Sequence, residues 1–137
     1  MADRPEQPAA ASVAAGPESM RYGRPGDLSG VRSFVRARAS ALGLSDVRAD
    51  LLTLAVSELA TNTLQHTGGG GRVRIWAEAG DVVCDVVDSG LGSSFGHDMP
   101  SAGAVRGRGL AIVERICDDV SAWTAADGAV VRVRLAL

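Results

Sequence analysis

Val31, Phe34, Val35, Ala39 and Leu42 recur at three- and four-residue spacing and predict a helix that Gly43 ends. Pro25-Gly26-Asp27 before it reads as a turn, with Asp27 as the helix cap. A second helix is predicted over "SDVRADLLTLAVSELATNTLQH": Ser45 can cap it, and Leu52, Val56 and Leu59 share one face until "GGGG" stops the helix. The pattern then becomes strand-like. "RVRIWAEAG" and "DVVCDVVD" predict a hairpin through Gly80-Asp81, with Val73, Ile75, Val83 and Val86 as apolar positions. From Ser89 to Arg106 the chain reads as a long loop containing Gly, Ser and Pro, of the kind that is a lid, a binding loop or disordered. Gly107 to Cys117 predicts a short helix with Leu110, Ile112, Val113 and Ile116 as its apolar positions. "VSAWTA" and "AVVRVRLAL" complete a strand pair around Asp127-Gly128, and Met20 to Tyr22 is a candidate first strand. This order predicts an α+β fold, a two-layer sandwich of helices on a mixed, mostly antiparallel sheet. There is no internal repeat.

With 137 residues and 46% hydrophobic content, the chain can bury one core and is short for two domains. Residues 1–17 are expected to be a disordered N-terminal tail, because their Ala, Pro and small polar residues cannot offset the entropy of ordering. Residues 18–137 form the expected domain. No apolar run approaches the roughly 18 residues of a membrane span, and no signal-peptide pattern opens the chain, so no membrane partner and a cytoplasmic location are expected. All 14 basic residues are Arg, and the net charge of −2 gives no overall attraction to nucleic acid. Arg21, Arg24, Arg32, Arg36, Arg38 and Arg48 nevertheless crowd one region, which a solvated helix face would explain. Cys84 and Cys117 lie in apolar segments without metal-ligand spacing and are expected to be buried free thiols.

Three motifs carry candidate chemistry. On the second helix, Glu58, Asn62 and Gln65 fall on the face that Leu51 and Ala55 occupy earlier, so an apolar face turns polar. Asn62 offers a neutral oxygen to a hard cation, and Glu58 can orient or deprotonate a nucleophile. A solvated helix end would also contain such residues. In "VVDSGLG" an acid follows a strand, and Gly90 and Gly92 allow the backbone to approach a flat ring. Asp88 could accept a hydrogen bond from an exocyclic amine there, although an ordinary turn has the same pattern. In "RGRGLAIV" a glycine-rich helix start exposes backbone N–H groups to phosphate beside Arg106 and Arg108. Its spacing is neither a Walker A loop nor a dinucleotide fingerprint.

Taken in order, "ELATNTLQHT", "VVDSGLG" and "GRGLAIV" closely resemble the GHKL family of ATP-binding domains, shared by histidine kinases, DNA gyrase and mismatch-repair ATPases. The likeness covers roughly Arg21 to Leu137 and implies the GHKL, or Bergerat-type, fold. Within the family the chain is most similar to stand-alone bacterial anti-sigma factors that are also serine protein kinases. By that resemblance Glu58 is the general base, Asn62 the magnesium ligand and Asp88 the adenine-recognising acid. Gly90 and Gly92 become the glycines under the ring, and Gly107, Gly109 and Leu110 the turn on the phosphate side. Arg106 and Arg108 join the phosphate site by charge and proximity. The cofactors implied are ATP and Mg2+.

The function implied is that of an anti-sigma factor and ATP-dependent serine/threonine protein kinase that phosphorylates an anti-sigma factor antagonist, thereby regulating transcription. Its partners would be a sigma factor and that antagonist, with no direct nucleic-acid contact, and a homodimer is implied. The alternative is a non-catalytic switch whose protein binding differs between ATP and ADP. No phosphoacceptor-histidine helix precedes the ATP domain, so a complete sensor histidine kinase is not expected. His66 and His97 are read as packed or exposed side chains. Gln65 stands where relatives frequently have a basic residue. Arg32 and Arg36, four apart on the first helix, are expected to project together into solvent as a partner surface.

Overall fold

The computed structural model describes residues 17–67, 69–88, 109–126 and 128–137. Strand β1 (Glu18–Tyr22) leads through a single 3-10 turn (Pro25–Asp27) into α1 (Leu28–Ala41) and α2 (Asp46–Thr67). The hairpin β2 (Gly71–Glu78) and β3 (Asp81–Asp88) follows, then α3 (Gly109–Ile116), β4 (Asp119–Ala125) and β5 (Gly128–Ala136). The five strands lie in the order β1-β2-β3-β5-β4, and every pairing among them is antiparallel. The α+β sandwich is as expected, while no parallel pairing occurs among the described strands. The expected tail, apart from Pro17, lies outside the described residues.

The helix ends show local sequence at work. Gly43, at φ +111°, lets the Gly43 amide reach the Ser40 carbonyl and the Leu44 amide reach the Ala39 carbonyl, closing α1 in a Schellman motif. Ser45 caps α2 through its Oγ, which accepts from the Arg48 amide at 3.2 Å. Asp27 behaves differently from expectation. Its carboxylate turns back to accept from the Gly23 and Arg24 amides at 2.8 and 3.1 Å, so it secures the turn before α1 and does not cap the helix. The Gly23 bond, followed by the Arg24 bond, holds that carboxyl below the usual carboxylate range.

Val31, Val35 and Ala39 of α1 and Leu52, Val56 and Leu59 of α2 are buried against Val73, Ile75, Val82, Cys84, Val86, Val133 and Leu135 of the sheet. Val113 adds α3 to this core, whereas Ile112 is 40% exposed, so the expected apolar face of α3 is narrower than its composition. Cys84 and Cys117 are buried free thiols, and burial pushes both thiol pKa values up.

The face of the sheet away from the helices is covered by its own side chains. Strand alternation places Val83, Asp85 and Val87 of β3 there, and all three are buried. Asp85, 0% exposed, accepts from Arg132 Nε at 2.7 Å, Arg132 Nη2 at 3.0 Å and Arg74 Nη2 at 3.1 Å. The Arg132 guanidinium also lies 5.0 Å from the Trp76 ring centroid and 4.9 Å from that of Trp123. Arginine stems and indole rings therefore replace a second helical layer over these valines. This explains why β3 reads as an almost continuous apolar run: it is central and buried on both faces.

Candidate functional site

The last turns of α2 and the ends of β1, β2 and β3 meet at one end of the sheet. Asp88 is the last residue of β3, 6% exposed, and alternation puts its side chain on the helix-facing side with Val86 and Cys84. Tyr22 ends β1 opposite Gly71, which in turn pairs with Asp88. The Tyr22 hydroxyl lies beside Thr63 of α2 and in the field of the Asp88 carboxylate, so the Thr63 turn of α2 sits over this end of the sheet. Asn62 is the preceding residue and Glu58 one turn earlier, both half-buried. The hydroxyls of Thr61 and Thr63 donate to the Ser57 and Leu59 carbonyls at 2.7 and 3.1 Å, so "TNT" remains helical although it is rich in short polar residues.

Asn62 Nδ2 is buried and has no hydrogen-bond partner among the described residues. Such a donor destabilises a fold unless something else engages it. An unpartnered amide donor suits an acceptor such as a phosphate oxygen, while the oxygen of the same carboxamide is of the kind Mg2+ takes, the ion sharing its remaining positions with phosphate and water. No cluster of three or more His, Cys, Asp or Glu side chains suited to a metal occurs among the described residues.

Helix α3 forms the second wall. Its described span, Gly109–Ile116, falls within the predicted Gly107 to Cys117, and it packs on α2. Asp118, two residues past its end, accepts from Arg48 near the start of α2 at 2.7 Å. The start of α3 is therefore directed toward the half of α2 that carries Glu58 and Asn62. Gly90, Gly92, Arg106, Gly107 and Arg108 lie outside the described residues, as does the Leu110 side chain.

The arginine pair on α1 is divided. Arg32 is exposed, but Arg36 turns onto α2, donating to Asp50 at 2.6 Å and lying 3.6 Å from Asp46. Arg48 is similarly engaged, donating to the Ala136 carbonyl at 2.9 Å besides Asp118. Sequence reasoning missed Tyr22 as part of the site. The available signal was its place at the end of the candidate first strand, together with a glycine run across from it.

No helix among the described residues is long and apolar enough to cross a membrane. A search of curated proteins finds no match to the chain. The sequence model of the histidine kinase-like ATPase domain matches residues 23–135, nearly the whole described fold and all three motifs. With an acid and a carboxamide on α2 above a buried Asp88, the chain belongs to the histidine kinase-like ATPase domain family, within the GHKL superfamily of ATP-binding proteins.

Proposed function

We propose that this ATP-binding domain is an anti-sigma factor and a serine/threonine protein kinase, transferring the γ-phosphoryl group of ATP to an anti-sigma factor antagonist. The observation that carries the catalytic reading is the placement of Glu58 one helical turn from Asn62, on the half of α2 above Asp88. Asp88 would accept from the exocyclic amine of the base, and Asn62 would hold the magnesium ion. When bound, magnesium supplies neutralisation of the phosphate charges. Glu58 then accepts the proton of the attacking serine or threonine hydroxyl, while the two proteins' contact supplies alignment.

Incubation with γ-labelled ATP and candidate antagonists tests this reading. Acid-stable phosphoserine or phosphothreonine on the antagonist is expected. Acid-labile phosphate would indicate phosphohistidine or phosphoaspartate. ATP-dependent complex formation with no transfer would favour the switch that only changes partner affinity.

Asn62→Ala is expected to weaken ATP binding in magnesium and to flatten its magnesium dependence, because a methyl group cannot coordinate the cation. Titration calorimetry with and without the metal measures both; identical curves for variant and wild type would remove Asn62 from the site. The partner surface now rests on Arg32 alone, since Arg36 is engaged by Asp46 and Asp50. Arg32→Glu should weaken association with an acidic partner and leave ATP affinity near wild type. A pull-down at moderate salt beside a nucleotide titration checks both halves.

A further inference from the structure

One row of the sheet, on its helix-facing side, runs Tyr22, Gly71, Asp88, Ala129 across β1, β2, β3 and β5. Neither strand neighbour of Asp88 has a polar side chain. The next residue along the row, Tyr22, carries a hydroxyl. A Cβ built on Gly71 would collide with the Val87 carbonyl and stand 2.8 Å from the Tyr22 hydroxyl oxygen and 3.1 Å from its Cζ, so the phenol lies over the Gly71 backbone. A Cβ on Gly70 would collide with the Tyr22 carbonyl. The glycine run after α2 thus does more than stop the helix: its last two members make the close approach of Tyr22 possible.

Tyr22 is only 4% exposed, and its hydroxyl has no partner within normal hydrogen-bond geometry among the described residues. Thr63 is the polar side chain beside it; its hydroxyl donates to the Leu59 carbonyl at 3.1 Å and keeps lone pairs able to accept, yet no bond between it and the phenol meets normal geometry. Burial, reinforced by the Asp88 charge, pushes the phenol pKa up to about 12, so at neutral pH the group keeps its proton and is a donor. A phenylalanine would fill the same volume without burying an unsatisfied hydroxyl. A buried hydroxyl without a geometric partner, one strand away from a buried carboxylate, suits a ligand that offers it an acceptor.

We propose that Tyr22 is a specificity-determining residue of the nucleotide pocket, its hydroxyl standing as donor beside the Asp88 acceptor so that together they read the edge of a 6-aminopurine. This rests on the reading of Asp88 as the base-recognising acid. Adenine presents an amine donor next to the ring acceptor N1, matching carboxylate and phenol respectively. Guanine presents an oxo acceptor at the amine position, which would face the carboxylate.

The test uses the full chain, magnesium and three probes: ATP, GTP, and 1-deaza-ATP, in which a C–H replaces N1. Wild type should bind ATP most tightly and 1-deaza-ATP about tenfold more weakly, the scale of one buried hydrogen bond. Tyr22→Phe should bind ATP about tenfold more weakly than wild type and no longer distinguish it from 1-deaza-ATP. Its melting temperature should equal or exceed that of wild type, because the unsatisfied hydroxyl is gone. Independent, multiplying losses from the variant and from the N1 deletion would overturn the proposal. So would full affinity of wild type for 1-deaza-ATP, a measurement that needs no variant. If wild type fails to prefer ATP over GTP, the reading of Asp88 itself falls; if that preference stands and Tyr22→Phe leaves it unchanged, only the Tyr22 assignment falls.

Discussion

Asp85→Ala is expected to lower the free energy of unfolding by about 3–5 kcal/mol, the scale for removing one partner of a buried ion pair. The carboxylate is fully buried, and its two oxygens take three hydrogen bonds from Arg132 and Arg74. Truncation would leave two guanidinium groups facing an empty space above Val83 and Val87. Both arginine side chains retain some solvent, 27% for Arg132 and 28% for Arg74, which places the expected loss toward the lower end of that range. The damage extends further than charge. Arg132 is held between Trp76 and Trp123 by its fork onto Asp85, so losing the acceptor also frees the cation that joins β2 to β4 across the sheet. Against a typical total of about 5–15 kcal/mol for a small domain, this is a large fraction. Urea denaturation followed by tryptophan fluorescence measures it and reports on the two rings directly. A loss under about 1 kcal/mol would mean that the arginine stems cover the valines without the ion pair.

The order of elements was legible because helix and strand periodicities alternate cleanly along the chain. Glu58, Asn62 and Asp88 could be singled out as candidates for a related reason: each belongs to a short motif whose spacing is local, four residues on a helix or an acid at a strand end. What escaped was non-local. Tyr22 lies over Gly71, the strand neighbour of Asp88, and five-residue β1 contains too little alternation to announce that register. Arg36 looked solvated because its acceptor Asp50 and its ion-pair partner Asp46 stand on the next helix, α2. Asp85 was hidden in a valine run. Its signal lay in the flanking arginine alternations, "RVRIW" and "VVRVRL", which place Arg74 and Arg132 opposite it only once β2 and β5 are known to be the neighbours of β3. Asp27 had the right residue type for a cap, but two amides freed by the preceding turn competed for the same oxygen.

Glu58→Gln should separate nucleotide binding from phosphate transfer on the kinase reading. The amide keeps the shape and length of the carboxylate but is no comparable proton acceptor, so transfer should fall by roughly 10²- to 10⁴-fold, the usual scale for losing a general base. ATP affinity should change little, because magnesium and base recognition are assigned to Asn62 and Asp88. The fold should also tolerate the change. Glu58 is half-buried on the rim of α2, while its neighbours Leu59 and Ala60 face the core, and a neutral amide at this position exposes no new apolar surface. Single-turnover transfer from γ-labelled ATP to the antagonist, paired with calorimetry of ATP binding, measures the two effects separately. Slow transfer with intact binding supports a proton acceptor at Glu58. Wild-type transfer would remove that role, and equal losses of binding and transfer would make Glu58 part of the nucleotide site. The discriminating quantity is the ratio of the two losses, since only chemistry depends on the basicity that glutamine lacks.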